Sequence, residues 1–433
     1  MSIALTEEKS SLTAAPTPAS DSTPAILREL NARGWAAYQG TPAPSRQDEA
    51  WRFTNLKLLD LTAYTHTVRA AETVKAALEK RSTGLEKIAG KMVFVNDELV
   101  SQTILNDTLR QQGVIWKPLA QAAAEHPELF SKYFMVNETR LGSARFAALH
   151  QSAVRNGTFL YVPAGVTIDL PIEVFHWASG ANNASFPHTL LIVERNAKVT
   201  LIDYFGSEEK NNSHLAIGVN DLHVAEGGQL TYVAVQEWNE QSLSFQINHT
   251  TVAGNGTAQT LNVNLGGRYA RTENLSRLVG EGARSDMLAL TAATGTQEFD
   301  QRTLQEHAAP GASSDLLYKN TLDDQSRTIF AGLIRVDEGA HRTDAYQKVR
   351  NLLLSDDAEA NSAPGLEILA DDVRCTHGAT SGQIEKEELF YMLARGIDKR
   401  TAQRLIVQGF LSETVDRLED PVLSAAIGER LTR

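Results

Sequence analysis

From about residue 156 to residue 355, short runs of alternating apolar and polar residues are separated by turn-forming triplets at a nearly constant interval. Ala164-Gly165-Val166, Arg195-Asn196-Ala197, Glu226-Gly227-Gly228, Gly254-Asn255-Gly256, Glu281-Gly282-Ala283, Pro310-Gly311-Ala312 and Glu338-Gly339-Ala340 end at positions 166, 197, 228, 256, 283, 312 and 340, giving gaps of 31, 31, 28, 27, 29 and 28. A fixed period in this range marks a solenoid. Leu230-Thr231-Tyr232-Val233-Ala234-Val235 and Leu261-Asn262-Val263-Asn264-Leu265 alternate with period two, and Leu190-Leu191-Ile192-Val193 leads into one of the turns. Such runs, rich in β-branched and aromatic residues and bounded by Gly and Asn, are strands. Each period therefore reads as strand, turn, strand and loop, one rung of a β-helix. A single rung cannot bury its apolar row, so neighbouring rungs stack. A β-sandwich with evenly spaced hairpins is the rival, and one recurring turn motif favours stacked rungs.

Before the repeats the period changes. Residues 1–23, rich in Ser, Thr, Ala and Pro, read as a flexible tail, because Glu7, Glu8 and Asp21 sit where a transit peptide avoids acid. Pro24 opens a helix with Ile26, Leu27, Leu30 and Trp35 as its apolar stripe, ending near Gly34. The charged segment from Ser45 to Thr54 reads as a helix whose aromatics Trp51 and Phe53 plug the core while its arginines snorkel. Met92 to Val95 forms a short strand, and Trp116 to Phe134 is mainly helical. Residues 24–150 are thus expected to form an α-rich domain and residues 151–380 the β-helix core, with a helical domain over 381–433.

After the repeats, Glu359 to Pro364 reads as a polar loop and Leu366 to Ala370 as a last strand. Ile384 to Arg395 is helical with Gly396 as its C-cap, and Asp398 caps a helix carrying Ala402, Leu405, Ile406 and Phe410 on one face. Helices of this kind close a solenoid's end, and they can equally dock a partner.

The chain of 433 residues carries 41 Lys and Arg against 53 Asp and Glu, a net charge of −12 that disfavours a nucleic-acid groove or an anionic membrane as main partner. One cysteine excludes an internal disulfide framework and fits a reducing cytoplasm. No phosphate-cradling Gly-x-x-x-x-Gly-Lys-Ser/Thr, no Gly-x-Ser-x-Gly elbow and no His-Glu-x-x-His is present. A carbohydrate lyase or hydrolase built on a β-helix would cluster carboxylates on one rung face, and Asp203, Glu237 and Asp300 share no evident rung position.

Cys375-Thr376-His377 is the constellation that carries chemistry. On an extended strand, residues i and i+2 project from one face. A thiolate beside an imidazole suits iron or iron–sulfur species, but an iron–sulfur cluster normally takes four protein ligands, so such a site is transient or shared with another chain. Alternatively, Cys375 packs as a small hydrophobe beside a hydrogen-bonded His377.

The run Arg374 to Gly382, followed by Leu389-Phe390-Tyr391-Met392-Leu393-Ala394-Arg395-Gly396-Ile397, resembles the C-terminal region of the SufB/SufD family of the SUF iron–sulfur cluster assembly machinery. Tyr346 to Ser355 and Glu49 to Thr54 are similar to two further family motifs, and the resemblance spans nearly the whole chain beyond the tail. Val349-Arg350-Asn351 stands where the SufB branch has a Cys-Asp-Ser run, which points to the SufD branch. The resemblance implies a right-handed parallel β-helix core flanked by an N-terminal α-rich domain and a C-terminal helical domain. It implies a non-catalytic scaffold subunit of a cytoplasmic SufB–SufC2–SufD complex, in which the ATPase activity belongs to SufC. His377 and Cys375 match the cluster-related positions shared with SufB, whose partner surface is the β-helix edge. SufC is expected on the C-terminal helices, through Phe390, Leu393, Leu405, Ile406 and Phe410. The cargo is iron or a nascent iron–sulfur cluster, and some family complexes carry a reduced flavin, although no flavin motif is present in this chain.

Overall fold

The middle residue of every turn triplet has a positive φ: Gly165 at 74°, Asn196 at 56°, Gly227 at 65°, Asn255 at 52°, Gly282 at 68°, Gly311 at 66° and Gly339 at 82°. The left-handed region is cheap only for Gly and, to a lesser degree, Asn and Asp, which is why these residue types recur at these positions. The third residue of each triplet packs inward, and Ala197, Ala283, Ala312 and Ala340 are buried there. An eighth turn, Asp371-Asp372-Val373, continues the series with Asp372 at φ 54°. Its Asp-Asp sequence hid it from the pattern of glycines.

The computed structural model describes residues 10–12, 23–66 and 69–431. Most of the expected tail lies outside these residues, although Ser10–Ser11 pairs antiparallel with Thr65–His66. Between successive turns the chain lays one strand into each of two parallel sheets, forming a β-solenoid. One sheet runs His188–Val193, His214–Val224, Leu243–Val252, Tyr269–Leu278, Glu298–His307, Arg327–Val336 and Glu359–Ile368. The other runs Ile172–Ala178, Lys198–Ser207, Gln229–Glu237, Thr257–Asn264, Arg284–Ala293, Ser313–Leu322, Asp344–Leu353 and Arg374–Gln383. Register is unbroken from rung to rung, as in Leu230↔Ala258 and Ala258↔Ser285. The central strands are buried on both faces because both are covered, as in His214–Val224 and Glu298–His307.

Inside, Leu201, Tyr232, Leu230, Val252 and Leu278 fill the early rungs. The outer face of the first sheet is covered by N-terminal elements, where α1 (Ala25–Gly40) and α6 (Ala144–Ala153) contribute Tyr38, Phe146 and Leu149 against Leu215, Ile217 and Phe245. Between these two helices lie α2 (Glu72–Arg81), α3 (Asp107–Gln111), α4 (Leu119–Glu125) and α5 (Pro127–Tyr133). The outer face of the second sheet is covered by the chain's last helices. Leu411 and Val415 of α8 (Lys399–Asp416), with Leu423 and Ile427 of α9 (Pro421–Arg430), bury against Val233, Val235, Leu261, Leu288 and Leu317. Each such fully buried side chain stabilises by about 1.5–3 kcal/mol.

Several local expectations change: the first helix runs on to Gly40 rather than ending near Gly34, and Leu366 to Ala370 is not the last strand, because Arg374–Gln383 follows it. Trp116 belongs to the strand Ile115–Pro118, and the helices begin at Leu119. Glu49–Trp51 is one 3₁₀ turn rather than a longer helix, and only Trp51 plugs the core while Phe53 is exposed. Glu359 to Pro364, expected as a loop, is the first part of the ten-residue strand Glu359–Ile368. That strand ends its sheet, and an edge strand tolerates the missing N–H of Pro364.

Candidate functional site

The two sheets end on the strands Glu359–Ile368 and Arg374–Gln383, each paired on one side only among the described residues. The strand Arg374–Gln383 stacks in parallel on Asp344–Leu353, with Cys375 opposite Ala345, His377 opposite Gln347 and Ser381 opposite Asn351. On the inner strand, Ala345, Gln347, Val349 and Asn351 are the buried, inward-facing positions. Cys375, His377, Ala379 and Ser381 continue those rows, so the cysteine and the imidazole share the inner face of the last rung. Among the described residues no further rung covers that face. His377 is exposed, whereas Cys375 is half-buried against Ile334, Val336, Ala340 and Ala345.

This placement separates the two side chains chemically. Burial pushes the Cys375 thiol up from its ordinary range, the Asp344 carboxylate adds to the rise, and the Ala345 N–H offsets part of it. Held in that way, the sulfur is a neutral thiol rather than a ready thiolate ligand. His377 presents its ring at the open end. Cys375 thus packs as a small hydrophobe and lies on the face that carries His377. Around them the open end exposes Tyr346, Leu366, Ile368 and Leu369.

Polar side chains line the lumen behind this end. Asn320 Nδ2 donates to Asn351 Oδ1 at 2.8 Å, and Asn351 Nδ2 donates to Ser381 Oγ at 3.0 Å and to Ser362 Oγ of the other sheet at 3.3 Å. Sequence alternation hid this ladder, because polar residues at inward positions read as outward ones.

The second candidate surface lies on α7 (Lys386–Ala394) and the first half of α8. Phe390 is 70% exposed, Leu393 41% and Leu405 43%, while Ile406 and Phe410 are partly covered. Asp398 caps α8 by accepting from Thr401 N at 3.0 Å, and Gly396 takes φ 83° between the helices. Leu352, Met392, Leu405, Ile406 and Phe410 line a cavity of about 420 Å³ between these helices and the last rungs. A side chain absent from the sequence expectations fixes α8 in place: Lys319, buried in the strand Ser313–Leu322, donates to Phe410 O at 2.6 Å and pairs with Glu413. A lone lysine in an apolar strand was its only signal.

The carboxylates weighed for a carbohydrate enzyme have structural partners. Asp203 accepts from Thr189 Oγ1 at 2.8 Å and Tyr232 OH at 2.7 Å, Asp300 pairs with Arg271 and Arg302, and Glu237 pairs with Arg430. Among the described residues, no group of three or more His, Cys, Asp and Glu side chains has the geometry to hold a metal ion. No helix among them is long and apolar enough to cross a membrane.

A profile described as "SUF system FeS cluster assembly, SufBD core domain" matches residues 176–410, more than half of the chain. This chain belongs to the SufBD family. A second profile, "SufBD protein N-terminal region", matches residues 17–174, so the family match takes in both the N-terminal helices and the solenoid. Among SufBD relatives, the iron-sulfur cluster assembly protein SufD of Bacillus subtilis is 26% identical over 401 residues, covering 91% of each chain. A SufBD family protein of Synechocystis is 26% identical over 386 residues, covering 87% of this chain and 84% of the relative. One of Staphylococcus epidermidis is 26% identical over 363 residues, covering 81% and 78%. The chain is a SufBD-family iron–sulfur cluster assembly protein with a β-solenoid core.

Proposed function

We propose that this SufBD protein is the SufD-type scaffold subunit of a SufB–SufC2–SufD complex and that His377 takes part in holding iron or a nascent cluster at the contact with SufB. The observation that carries the reading is the last rung. There His377 and Cys375 share the inner face of a strand whose outer edge has no partner among the described residues. Unpaired N–H and C=O groups invite a further strand, and exposed Tyr346, Leu366, Ile368 and Leu369 add apolar area to the same end. A neutral imidazole is a competent iron ligand, but one imidazole and one hindered thiol do not complete a cluster's ligand set. The missing thiolate comes from SufB, and Cys375 plays the lesser part.

The exposed apolar side chains of α7 and α8 are the proposed seat of SufC. The subunit itself then contributes placement rather than catalysis, and ATP-driven movement of SufC reshapes the SufB contact through α8. The test is iron and acid-labile sulfide content, with visible absorbance, of complexes purified without oxygen. His377→Ala should leave complex yield unchanged and lower all three readouts, with Cys375→Ser milder. Wild-type cluster content in the His377→Ala complex at wild-type yield would overturn the reading.

A further inference from the structure

We infer that Gln347 is a positioning residue for His377: its side-chain oxygen, unbonded in this structure, is the acceptor that a ring N–H of the imidazole takes up when the ring turns to it, which fixes the ring nitrogen left free to bind. The inference rests on the reading of His377 as a ligand and names the neighbour that would orient it.

Gln347 and His377 are register partners on adjacent parallel strands. Partners in this position have backbones about 4.8 Å apart and side chains on the same face. Gln347 is 2% exposed and points into the lumen, and its Oε1 is a buried acceptor without a hydrogen-bond partner. Its Nε2 donates to Gly332 O at 3.4 Å. A carbonyl can only accept, so that contact fixes the amide's orientation and leaves the oxygen as the free end. A buried unmatched acceptor costs about 1–3 kcal/mol, and among the side chains of the last rung His377 is the register neighbour that carries an N–H.

The same pair of strands supplies a working example four residues along. Asn351 and Ser381 occupy the equivalent inward register and are bonded at 3.0 Å. The backbone beneath Gln347 is shaped to hold it: a Cβ on Gly332 would fall 2.6 Å from Gln347 Nε2 and 2.5 Å from Thr303 Oγ1. Any side chain at position 332 would displace the amide.

The chemical consequence is a fixed tautomer. A histidine that binds metal commonly gives its other ring N–H to an oxygen, which sets ring orientation and raises the basicity of the binding nitrogen. Loss of such a partner typically costs about 10–100-fold in metal affinity. Gln347→Leu removes the acceptor at similar volume, whereas Gln347→Glu keeps it.

The experiment is nitrogen NMR of the full chain labelled at histidine, with the His377 signals assigned by their loss in His377→Ala. It is paired with iron retention in the SufB–SufC2–SufD complex. The expected result is one neutral tautomer of His377 in the wild type and in Gln347→Glu, and a mixture in Gln347→Leu. Iron retention should fall about tenfold in Gln347→Leu and stay within about twofold in Gln347→Glu. A tautomer mixture in the wild type overturns the inference without recourse to any variant. So does a single tautomer that survives Gln347→Leu in a chain whose melting curve shows it folded. If Gln347 controls the tautomer while His377→Ala complexes keep their iron and sulfide, the contact stands and the ligand reading fails.

Discussion

The guanidinium of Arg271 lies 3.9 Å from the ring centre of Trp51, although one residue belongs to a central rung of the solenoid and the other to the N-terminal region. Arg271 belongs to the solenoid strand Tyr269–Leu278 and is fully buried, and Trp51 sits in the 3₁₀ turn Glu49–Trp51. Arg271 also donates to Asp300 Oδ2 at 2.6 Å, to Glu273 Oε1 at 2.8 Å, and to the carbonyls of Ala50 and Leu141 at 3.0 and 2.7 Å. One guanidinium thus ties two N-terminal segments to the rungs, and its five N–H donors are what that geometry requires.

Removing the cation leaves Asp300 and Glu273 buried with part of their compensation lost. Arg271→Ala should therefore lower unfolding free energy by about 3–5 kcal/mol, read from denaturant midpoints. Arg271→Lys should recover little of it, because an ammonium cannot span the same partners. Limited proteolysis of Arg271→Ala should open the segment around Trp51 before the rungs. Wild-type resistance there would show that the N-terminal elements dock independently of this contact.

Acid should weaken the fold. Burial holds His66 down to about 3, with Arg155 adding to the effect, and holds His150 down to about 3 with help from His188, while burial alone holds His307 down to about 4. The unfolded chain takes protons at these sites near pH 6.5 and the folded chain does not. Their stability contribution is present above about pH 6.5 and is lost as pH falls toward 4. Asp97 runs the other way. Burial raises its carboxyl to about 6 despite the Phe186 N–H, so its contribution is full below about 3.8 and fades as pH rises through 6. Three histidines outweigh one aspartate, so the melting temperature should drop steadily between pH 7 and pH 5. A flat profile would show that these imidazoles are charged in the fold.

The turn geometry can be tested without disturbing packing. Gly339 has φ 82° and Gly378 has no positive φ, and a Cβ at either position meets nothing within 4 Å. Gly339→Ala should cost about 1–2 kcal/mol from the left-handed backbone alone. Gly378→Ala, in extended backbone, should be neutral or stabilise by about 0.4–1 kcal/mol through the unfolded chain. Equal urea midpoints for the two variants would mean that the turn relaxes around a side chain.

Most of the solenoid was legible because its turns demand particular residues. Gly and Asn at the left-handed position recur at every rung from Gly165 to Gly339, so the period could be counted directly. The pattern fell silent where chemistry was shared with other rungs. Asp372 takes the same conformation with a residue that reads as charged surface, and Pro364 with Asn361 disguises an edge strand as a loop. The Cys375 and His377 pair was visible from i, i+2 spacing, but their different burial was not, since it depends on Ile334, Val336 and Ala340, which come earlier in the chain and are brought alongside by folding. Gln347 gave no signal and Lys319 only that of a lone lysine in an apolar strand, because each matters through a partner brought to it by folding.

The C-terminal helices carry two kinds of apolar residue, and they should respond differently to substitution. Leu411, Val415, Leu423 and Ile427 are buried against the second sheet, so deleting residues 384–433 would strip the rungs of their cover and unfold more than a docking site. Phe390, Leu393 and Leu405 face outward, and replacing them removes little packing. Phe390→Glu with Leu393→Glu should leave the melting curve within about 0.5 kcal/mol of wild type while abolishing co-purification of SufC. Val415→Ala should do the reverse, lowering stability by roughly 1–3 kcal/mol and retaining SufC at low temperature. The helix is held to the rungs at Lys319 by both Phe410 O and Glu413. A Lys319→Met variant should therefore retain SufC yet let α8 shift, which cluster content on the complex would report. Full SufC binding by the double glutamate variant would place the ATPase elsewhere on the chain and leave the exposed face of α7 without a partner.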